Sequence, residues 1–320
     1  MQTAATALKP ATPRKPEPAK PLRMTLDAIT SGRRKRPMRV LLYGTEGIGK
    51  STWASGAPAP VYLGTEDGTA QLDVARFPEP QTWGEALQAV DTLTTQEHVY
   101  KTLVVDTLDW LEPLAWDDVC GKAGVDNIES LGYGKGYVAA LDRWRDLLAR
   151  LDVLRDKRGM HVILLAHSWI KTFRNPEADD FDRYELKLHA KSAGLVKEWC
   201  DAVLFAAYET LVAEKDKRVR GVDTGARIAH TERRAAWDAK NRYGLPAQLP
   251  LDWSAFVEAV EVGAPASATA LAARITEALE KAPADLAAKV RVAVDAAKQD
   301  AGQLARILDK LTAKLNIQQQ

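Results

Sequence analysis

Cysteine is scarce. Cys120 and Cys200 are the only two in 320 residues, too few for a disulfide framework or a four-cysteine zinc site. There is no uninterrupted apolar run approaching about 18 residues, so no membrane-spanning helix and no membrane partner are expected. The N-terminal residues lack the apolar core of a secretory signal, which predicts a chain kept in reducing cytoplasm. Net charge is nearly absent as well: 44 Lys/Arg against 43 acids gives +1, so overall charge is no argument for a nucleic-acid partner. What is present, 46% hydrophobic and 27% charged residues, is ordinary globular composition and excludes a wholly disordered or fibrous chain.

The near-zero balance hides an asymmetry. Residues 1–37 carry nine Lys/Arg against Glu17 and Asp27, a net +7, which leaves the remainder at −6. Residues 1–23 are rich in Pro, Ala, Thr and Lys, and such a segment buries too little apolar surface to offset its ordering entropy. A disordered basic tail over 1–36 is therefore expected. It contains a short apolar stretch, Thr25–Ile29, and the run Arg33-Arg34-Lys35-Arg36, which reads either as a solvated arm or as a phosphate-backbone contact.

From Met38 the pattern becomes short apolar runs separated by amphipathic stretches. Arg39–Tyr43, Val61–Gly64, Thr102–Asp106, His161–Ala166 and Ala202–Ala207 are Val/Leu/Ile/Ala-rich and apolar on both faces, as buried parallel strands are. Between them, Leu141, Trp144, Leu148, Leu151 and Leu154 recur at three or four and predict a helix over Tyr137–Arg155. The alternation predicts an α/β domain with a mainly parallel central sheet over 37–262, to which Arg227–Thr231 and Ala235–Lys240 can add antiparallel strands. Residues 263–320 are Ala-rich and predict two or three short helices: Ala268–Lys281, Asp285–Ala297 and Ala301–Leu315.

The strongest motif is Gly44-Thr45-Glu46-Gly47-Ile48-Gly49-Lys50-Ser51, the full G-x-x-x-x-G-K-[ST] pattern between a predicted strand and a predicted helix. Its glycines let the backbone wrap an anion with successive N–H groups pointing inward, and the helix that begins at Lys50, Ser51 and Thr52 adds its positive end. Lys50 neutralises the outer phosphates and Ser51 offers a hydroxyl to Mg²⁺. A nucleoside triphosphate site, with ATP and Mg²⁺ as the expected ligands, follows. Asp106, ending an apolar strand downstream, is expected to complete the metal site. Glu66, after the strand Val61–Gly64, is the expected base for an attacking water, with Asp67 and Asp109 behind it. His167, at another strand end, is read as a γ-phosphate sensor or as a histidine satisfied in the core.

Together these residues resemble the RecA-type ATPase core. Lys240-Asn241-Arg242-Tyr243-Gly244 is similar to the Lys-Asn-Arg-Phe-Gly motif of RadA-type proteins, with Tyr for Phe. Gly134-Lys135-Gly136-Tyr137, Trp144 and Leu165-Ala166-His167-Ser168 further resemble a compact phage-encoded branch, the RecA-core single-strand annealing (Sak-type) proteins. The likeness covers about residues 37–260. It implies a homo-oligomeric ring or filament with nucleotide between protomers, Lys240 and Arg242 acting on the neighbour's nucleotide, single-stranded DNA as a partner, and a single-strand-binding protein as a further candidate. It also implies two DNA-contacting segments, Gly132–Tyr137 and Ser168–Lys191, holding Lys135, Tyr137, Trp169, Lys171, Phe173, Arg174 and Arg183. Bases interleaved with aromatics suit single-strand binding.

The expected function is a Mg²⁺-dependent ATPase that binds single-stranded DNA and promotes annealing or strand pairing in phage-type recombination, within the bacterial host cytoplasm. Two alternatives keep the same ATP residues. One is a motor or helicase-loader-type ATPase acting on a protein, favoured because five Lys/Arg between Ser168 and Ser192 are matched by five acids. The other is a small-molecule kinase, disfavoured by the want of an arginine-bearing lid.

Overall fold

The computed structural model describes residues 24–31, 34, 36–66, 68–175, 179–215, 218–263, 268–280, 282–297, 304, 307–308 and 310–311. The expected tail over 1–23, Arg33, Lys35, Asp67 and most of the expected 301–315 helix lie outside them. Residues 1–35 and 36–320 form two separate units. In the first, the apolar stretch Thr25–Ile29 makes one 3₁₀ turn at Leu26–Ala28, closed by Ala28 N–H on the Thr25 carbonyl.

The second unit runs, in chain order, β1 (Arg39–Gly44), α1 (Lys50–Ser55), β2 (Pro60–Gly64), β3 (Ala75–Arg76), α2 (Trp83–Thr95), β4 (Thr102–Asp106), α3 (Leu108–Ala123), α4 (Lys135–Arg158), β5 (His161–Phe173), β6 (Phe181–Leu186), α5 (Ala190–Trp199), β7 (Ala202–Lys215), β8 (Arg218–His230), β9 (Lys240–Asn241), β10 (Gln248–Pro250), α6 (Trp253–Gly263), α7 (Ala268–Glu280) and α8 (Ala284–Ala296). The expected α/β class holds. The sheet order is β10-β8-β7-β1-β5-β4-β2-β3, with β7, β1, β5, β4, β2 and β3 mutually parallel, β8 and β9 antiparallel to β7, and β10 antiparallel to β8.

Both faces of the sheet are covered, which is why its strands read as unbroken apolar runs. Leu41, Tyr43, Leu103, Val105, Val162, Leu164, Val203 and Phe205 pack with α2, α3, α4 and α5. The alternate residues Val40, Leu42, Val104, Ile163, Leu165, Leu204 and Ala206 pack with α1 and α6 through Trp53, Trp253 and Phe256. Local signals set the helix ends. Thr82 caps α2 by accepting from Glu85 N–H at 3.2 Å. Gly159, at φ 67°, ends α4 behind Arg155, Lys157 and Arg158, basic residues that suit a helix C-terminus. The helices α7 and α8 share a small cluster of their own, built on Ile275, Val290, Leu304, Leu308 and Leu311.

Two expectations need correction. The strands β5 and β7 do not stop at Ala166 and Ala207 but continue past the sheet as two-stranded ribbons with β6 and β8. Beyond the core both strands mix polar and apolar residues in no regular order, so the unbroken run of hydrophobes ends before the strand does. The stretch Ala235–Lys240 is not a strand: only Lys240–Asn241 pairs with β7, after bridges at Tyr184, Arg234 and Trp237.

Candidate functional site: the loop after β1

The expected phosphate loop lies between the end of β1 and the start of α1. Gly44 pairs so closely with β7 that a Cβ there would stand 2.4 Å from the Ala206 carbonyl oxygen. Gly49 sits at φ 102°, a conformation that favours glycine. Ile48 is buried against the α1-side core and anchors the loop, while Thr45, Glu46 and Gly47 are exposed at its rim. The buried Lys50 ammonium folds back on the loop, donating to the Thr45 carbonyl at 3.0 Å and the Gly44 carbonyl at 3.4 Å. Burial pushes its pKa down, opposed by Asp106, Asp109, Glu66 and Glu46. Ser51 starts α1 with its carbonyl held by the Tyr62 hydroxyl at 2.8 Å; Thr52 is exposed.

Asp106 closes β4 in the same place. It is buried, and neither carboxylate oxygen reaches hydrogen-bond geometry with a protein donor. Burial drives its pKa up, with the Ser51 hydroxyl and Lys50 pulling the other way. A buried carboxylate without a partner beside a hydroxyl and an ammonium fits a hard cation, which takes oxygen ligands. The residues that would hold Mg²⁺ are thus Ser51 and Asp106. Among the described residues no three His, Cys, Asp or Glu side chains cluster as a self-sufficient metal cage.

Glu66 is brought to Asp106 by a lock between two threonines. The Thr65 hydroxyl donates to the Thr107 carbonyl at 2.7 Å and accepts from Thr107 N–H at 2.9 Å, while Thr65 N–H donates to the Asp106 carbonyl at 2.7 Å. Burial raises the Glu66 pKa; His167 opposes this, and Asp106 and Asp109 add to it.

His167 stands level with Gly44 on the neighbouring strand β5. Its backbone N–H donates to one oxygen of Asp109 and its Nδ1 bonds the other, both at 2.9 Å. Asp109, in the first turn of α3, has a side chain only 3% exposed. Although burial pushes the Asp109 carboxyl up, the bonds from His167 hold it below the usual carboxylate range. An ionised Asp109 fixes the proton on Nδ1 and leaves Nε2 as the free nitrogen. Asp109, expected as a reserve base behind Glu66, has both carboxylate oxygens bonded to His167.

Lys240 and Arg242 are not brought to this loop. Val203 and Ala202 pair with Lys240 and Asn241, and Ala202 pairs with Val40, so the motif lies four residues below Gly44 along β1. At about 3.3 Å per residue, that is the opposite end of the sheet. There the Lys240 ammonium donates to three carbonyls at the end of α5, those of Lys197, Glu198 and Cys200, at 3.0, 2.7 and 2.7 Å. Asn241 builds the turn, its Oδ1 accepting from Tyr243 and Leu245 N–H, and Gly244 takes φ 73°. Arg242 alone points outward, 56% exposed and 3.4 Å from Asp201.

The expected DNA-facing residues divide. Trp169 and Ile170 are 42% and 63% exposed on the β5–β6 ribbon, and the Lys171 ammonium lies 5.5 Å from the Trp169 ring centre. Arg174 is exposed, and Lys135 is exposed at the start of α4. Tyr137 stacks on His189 with ring centres 4.2 Å apart and donates to Glu129. Phe173 packs on Phe181. Arg183 departs from expectation: it is 5% exposed, its guanidinium 5.1 Å from the Phe173 ring centre and 3.9 Å from Asp238, so it supports the ribbon from behind. The segment Gly132–Gly134 is a turn with three positive φ values that projects Tyr133 fully into solvent.

A residue unmarked by any motif also reaches the loop: a Cβ on Gly49 would stand 2.9 Å from Nη1 of Arg227, on β8.

The family described as an AAA domain (AAA_24) matches residues 36–243, and the chain belongs to it. It therefore carries an AAA-type P-loop ATPase domain. Among individual proteins, it is 24% identical over 135 residues to the SPbeta prophage-derived uncharacterized protein YorG of Bacillus subtilis (strain 168), a match covering 40% of this chain and 40% of that protein. The matched part spans about two-fifths of that relative's length. Among solved structures, the crystal structure of the RadB recombinase matches with 16% identity and a TM-score of 0.37 over 63% of this chain and 84% of that one. Among the described residues no helix is long and apolar enough to cross a membrane.

Proposed function

We propose that the chain is a Mg²⁺-dependent ATPase that binds single-stranded DNA and promotes annealing or strand pairing in a phage-type recombination setting. The carrying observation is the course of β5. The strand that presents His167 beside the phosphate loop continues without a break into the ribbon, and Trp169 follows His167 by two residues. A stiff strand linking a phosphate-facing histidine to exposed Trp169, Ile170 and Lys171 is a short physical route between nucleotide state and a stacking surface.

Within the site, Lys50 and the loop N–H groups bind the phosphates, and Ser51 and Asp106 hold Mg²⁺, which neutralises charge developing on the transferred phosphoryl group. Glu66 accepts the proton of the attacking water. His167, oriented by Asp109, presents Nε2 toward the terminal phosphate. Lys240 and Arg242 cannot reach their own loop. Arg242, exposed at the far end of the sheet, is the candidate to complete a neighbour's site in a head-to-tail assembly. The prophage origin of the relative agrees with a phage setting.

The test is steady-state ATP hydrolysis with and without single-stranded DNA, on wild type and on Trp169→Ala. Stimulation by DNA in wild type, diminished in Trp169→Ala with the basal rate intact, is expected. A rate indifferent to DNA at all protein concentrations overturns the DNA half of the reading.

That result would favour a second reading, an ATPase acting on a protein partner through the same ribbon. The observation on its side is the charge of the segment, with Arg183 buried and acids equal to bases between Ser168 and Ser192. An electrostatic funnel for DNA carries an excess of cations.

A further inference from the structure

Arg227 belongs to the nucleotide site in a way that no motif marks. Gly44, at the end of β1, pairs with Ala206 of β7, and Ala206 pairs with Ala229 of β8. Because β8 runs antiparallel to β7, Arg227 lies two residues beyond Ala229 in the direction of the phosphate loop. Residues two apart on a strand share a face, and Ala229 is buried on the α1 face of the sheet. The Arg227 side chain is thereby directed over the loop at the α1 side, which is where its Nη1 meets the space above Gly49. Its guanidinium is exposed, and among the described residues it has no hydrogen-bond or ion-pair partner. A planar, permanently charged fork without a partner among the described residues, set against an anion-binding loop, is an arrangement completed by phosphate.

The sheet order tells which part of a nucleotide it would meet. Asp106, Glu66 and His167 come from β4, β2 and β5, all on one side of β1, whereas β7 and β8 lie on the other side. The carboxylates that serve metal and water belong at the terminal phosphate. A cation arriving from the opposite side faces the other end of the phosphate chain.

We propose that Arg227 is a nucleotide-binding residue acting within its own protomer, holding the α-phosphate end of the bound nucleotide while Lys50 holds the outer phosphates. The assignment deepens the ATP reading above and rests on it. It also ties the base of the β7–β8 ribbon to nucleotide occupancy, since Arg227 is part of that ribbon.

Calorimetric titration of ADP and of the non-hydrolysable analogue AMP-PNP, each with Mg²⁺, into wild type, Arg227→Ala, Arg227→Lys and Lys50→Ala tests it. Both ligands carry the α-phosphate, so Arg227→Ala is expected to weaken both by the same factor, roughly 10- to 100-fold, the range of a charge-assisted hydrogen bond. Arg227→Lys should recover part of the loss. Thermal melting of Arg227→Ala without nucleotide should match wild type, because the guanidinium holds no partner among the described residues. Unchanged affinity for both ligands overturns the assignment alone. A loss confined to AMP-PNP also overturns it, since that places the contact at the terminal phosphate. Wild-type protein that binds neither ligand overturns the ATP reading and the assignment with it.

Discussion

Lys240 resembles a residue that acts on a neighbour, yet its ammonium is committed to its own protomer, and the two roles separate in one experiment. Lys240→Met keeps most of the aliphatic stem and removes the charge. Three carbonyls at the end of α5 lose their donor, at 3.0, 2.7 and 2.7 Å. Hydrogen bonds to a charged group contribute about 1.5–3 kcal/mol when single, and a cation at a helix C-terminus adds a few tenths to about 1 kcal/mol. The three share one ammonium and water reaches a partly exposed site, so the sum is well below three full bonds. A loss of about 2 kcal/mol is expected. For a domain of this size each kcal/mol moves Tm by about 2–4 °C, which gives a fall of about 4–8 °C. Arg242→Ala is the matched control: its pair with Asp201 is exposed, worth about 0–1 kcal/mol, so its Tm should move by no more than about 4 °C. Differential scanning calorimetry of the two variants without nucleotide reads both. A wild-type Tm in Lys240→Met, accompanied by loss of concentration-dependent ATPase, would refute the capping argument and return Lys240 to the neighbour's site.

Asp109→Asn should leave nucleotide affinity within about threefold, because the Asp109 carboxylate bonds His167 rather than the loop, yet lower hydrolysis roughly 10- to 100-fold as His167 loses its orientation; single-turnover rates beside equilibrium binding check the split. If Glu66 is the base, it works only when ionised, and burial raises its pKa. Activity is then lost as pH falls through that raised value, on an acid limb above the ordinary carboxylate range, and Glu66→Gln should bind nucleotide without turning it over. Asp106 is the reverse case for stability. Its folded-state pKa is raised, so the apo protein carries a penalty wherever this buried carboxylate is ionised and regains stability as pH falls through that pKa toward the unfolded value. Asp106→Asn should raise the apo melting stability by about 1–2 kcal/mol and abolish the added stabilisation by Mg²⁺ with nucleotide, both readable in thermal melts.

What could be read from the chain alone was what lies contiguous in it. The loop Gly44–Ser51 carries its chemistry in eight adjacent letters, and Asp106 is marked by the apolar strand it ends. The parallel strands betrayed themselves because two covered faces force apolar residues at every position. The pairing of His167 with Asp109 spans 58 residues, and the approach of Arg227 to Gly49 spans far more, so no local pattern encodes either. The ribbons β5–β6 and β7–β8 escaped for a different reason: outside the core, a two-stranded element needs no hydrophobic run. Arg183 read as a surface cation because composition cannot tell a solvated guanidinium from one laid on Phe173. The stretch Lys240–Gly244 was recognisable as a motif, but its work within the protomer, a helix cap, a turn and a packed tyrosine, emerges only from where β9 joins β7.

In the proposed function, nucleotide occupancy reaches the ribbon through β5. Fluorescence anisotropy of a labelled oligo-dT, titrated with the protein in the absence of nucleotide, with ADP and with AMP-PNP, measures that link. Wild type is expected to bind the oligonucleotide about tenfold more tightly with AMP-PNP than without, within the usual range of coupling between two sites, and Lys50→Ala is expected to show no difference. One affinity under all three conditions, or no binding under any of them, would contradict it.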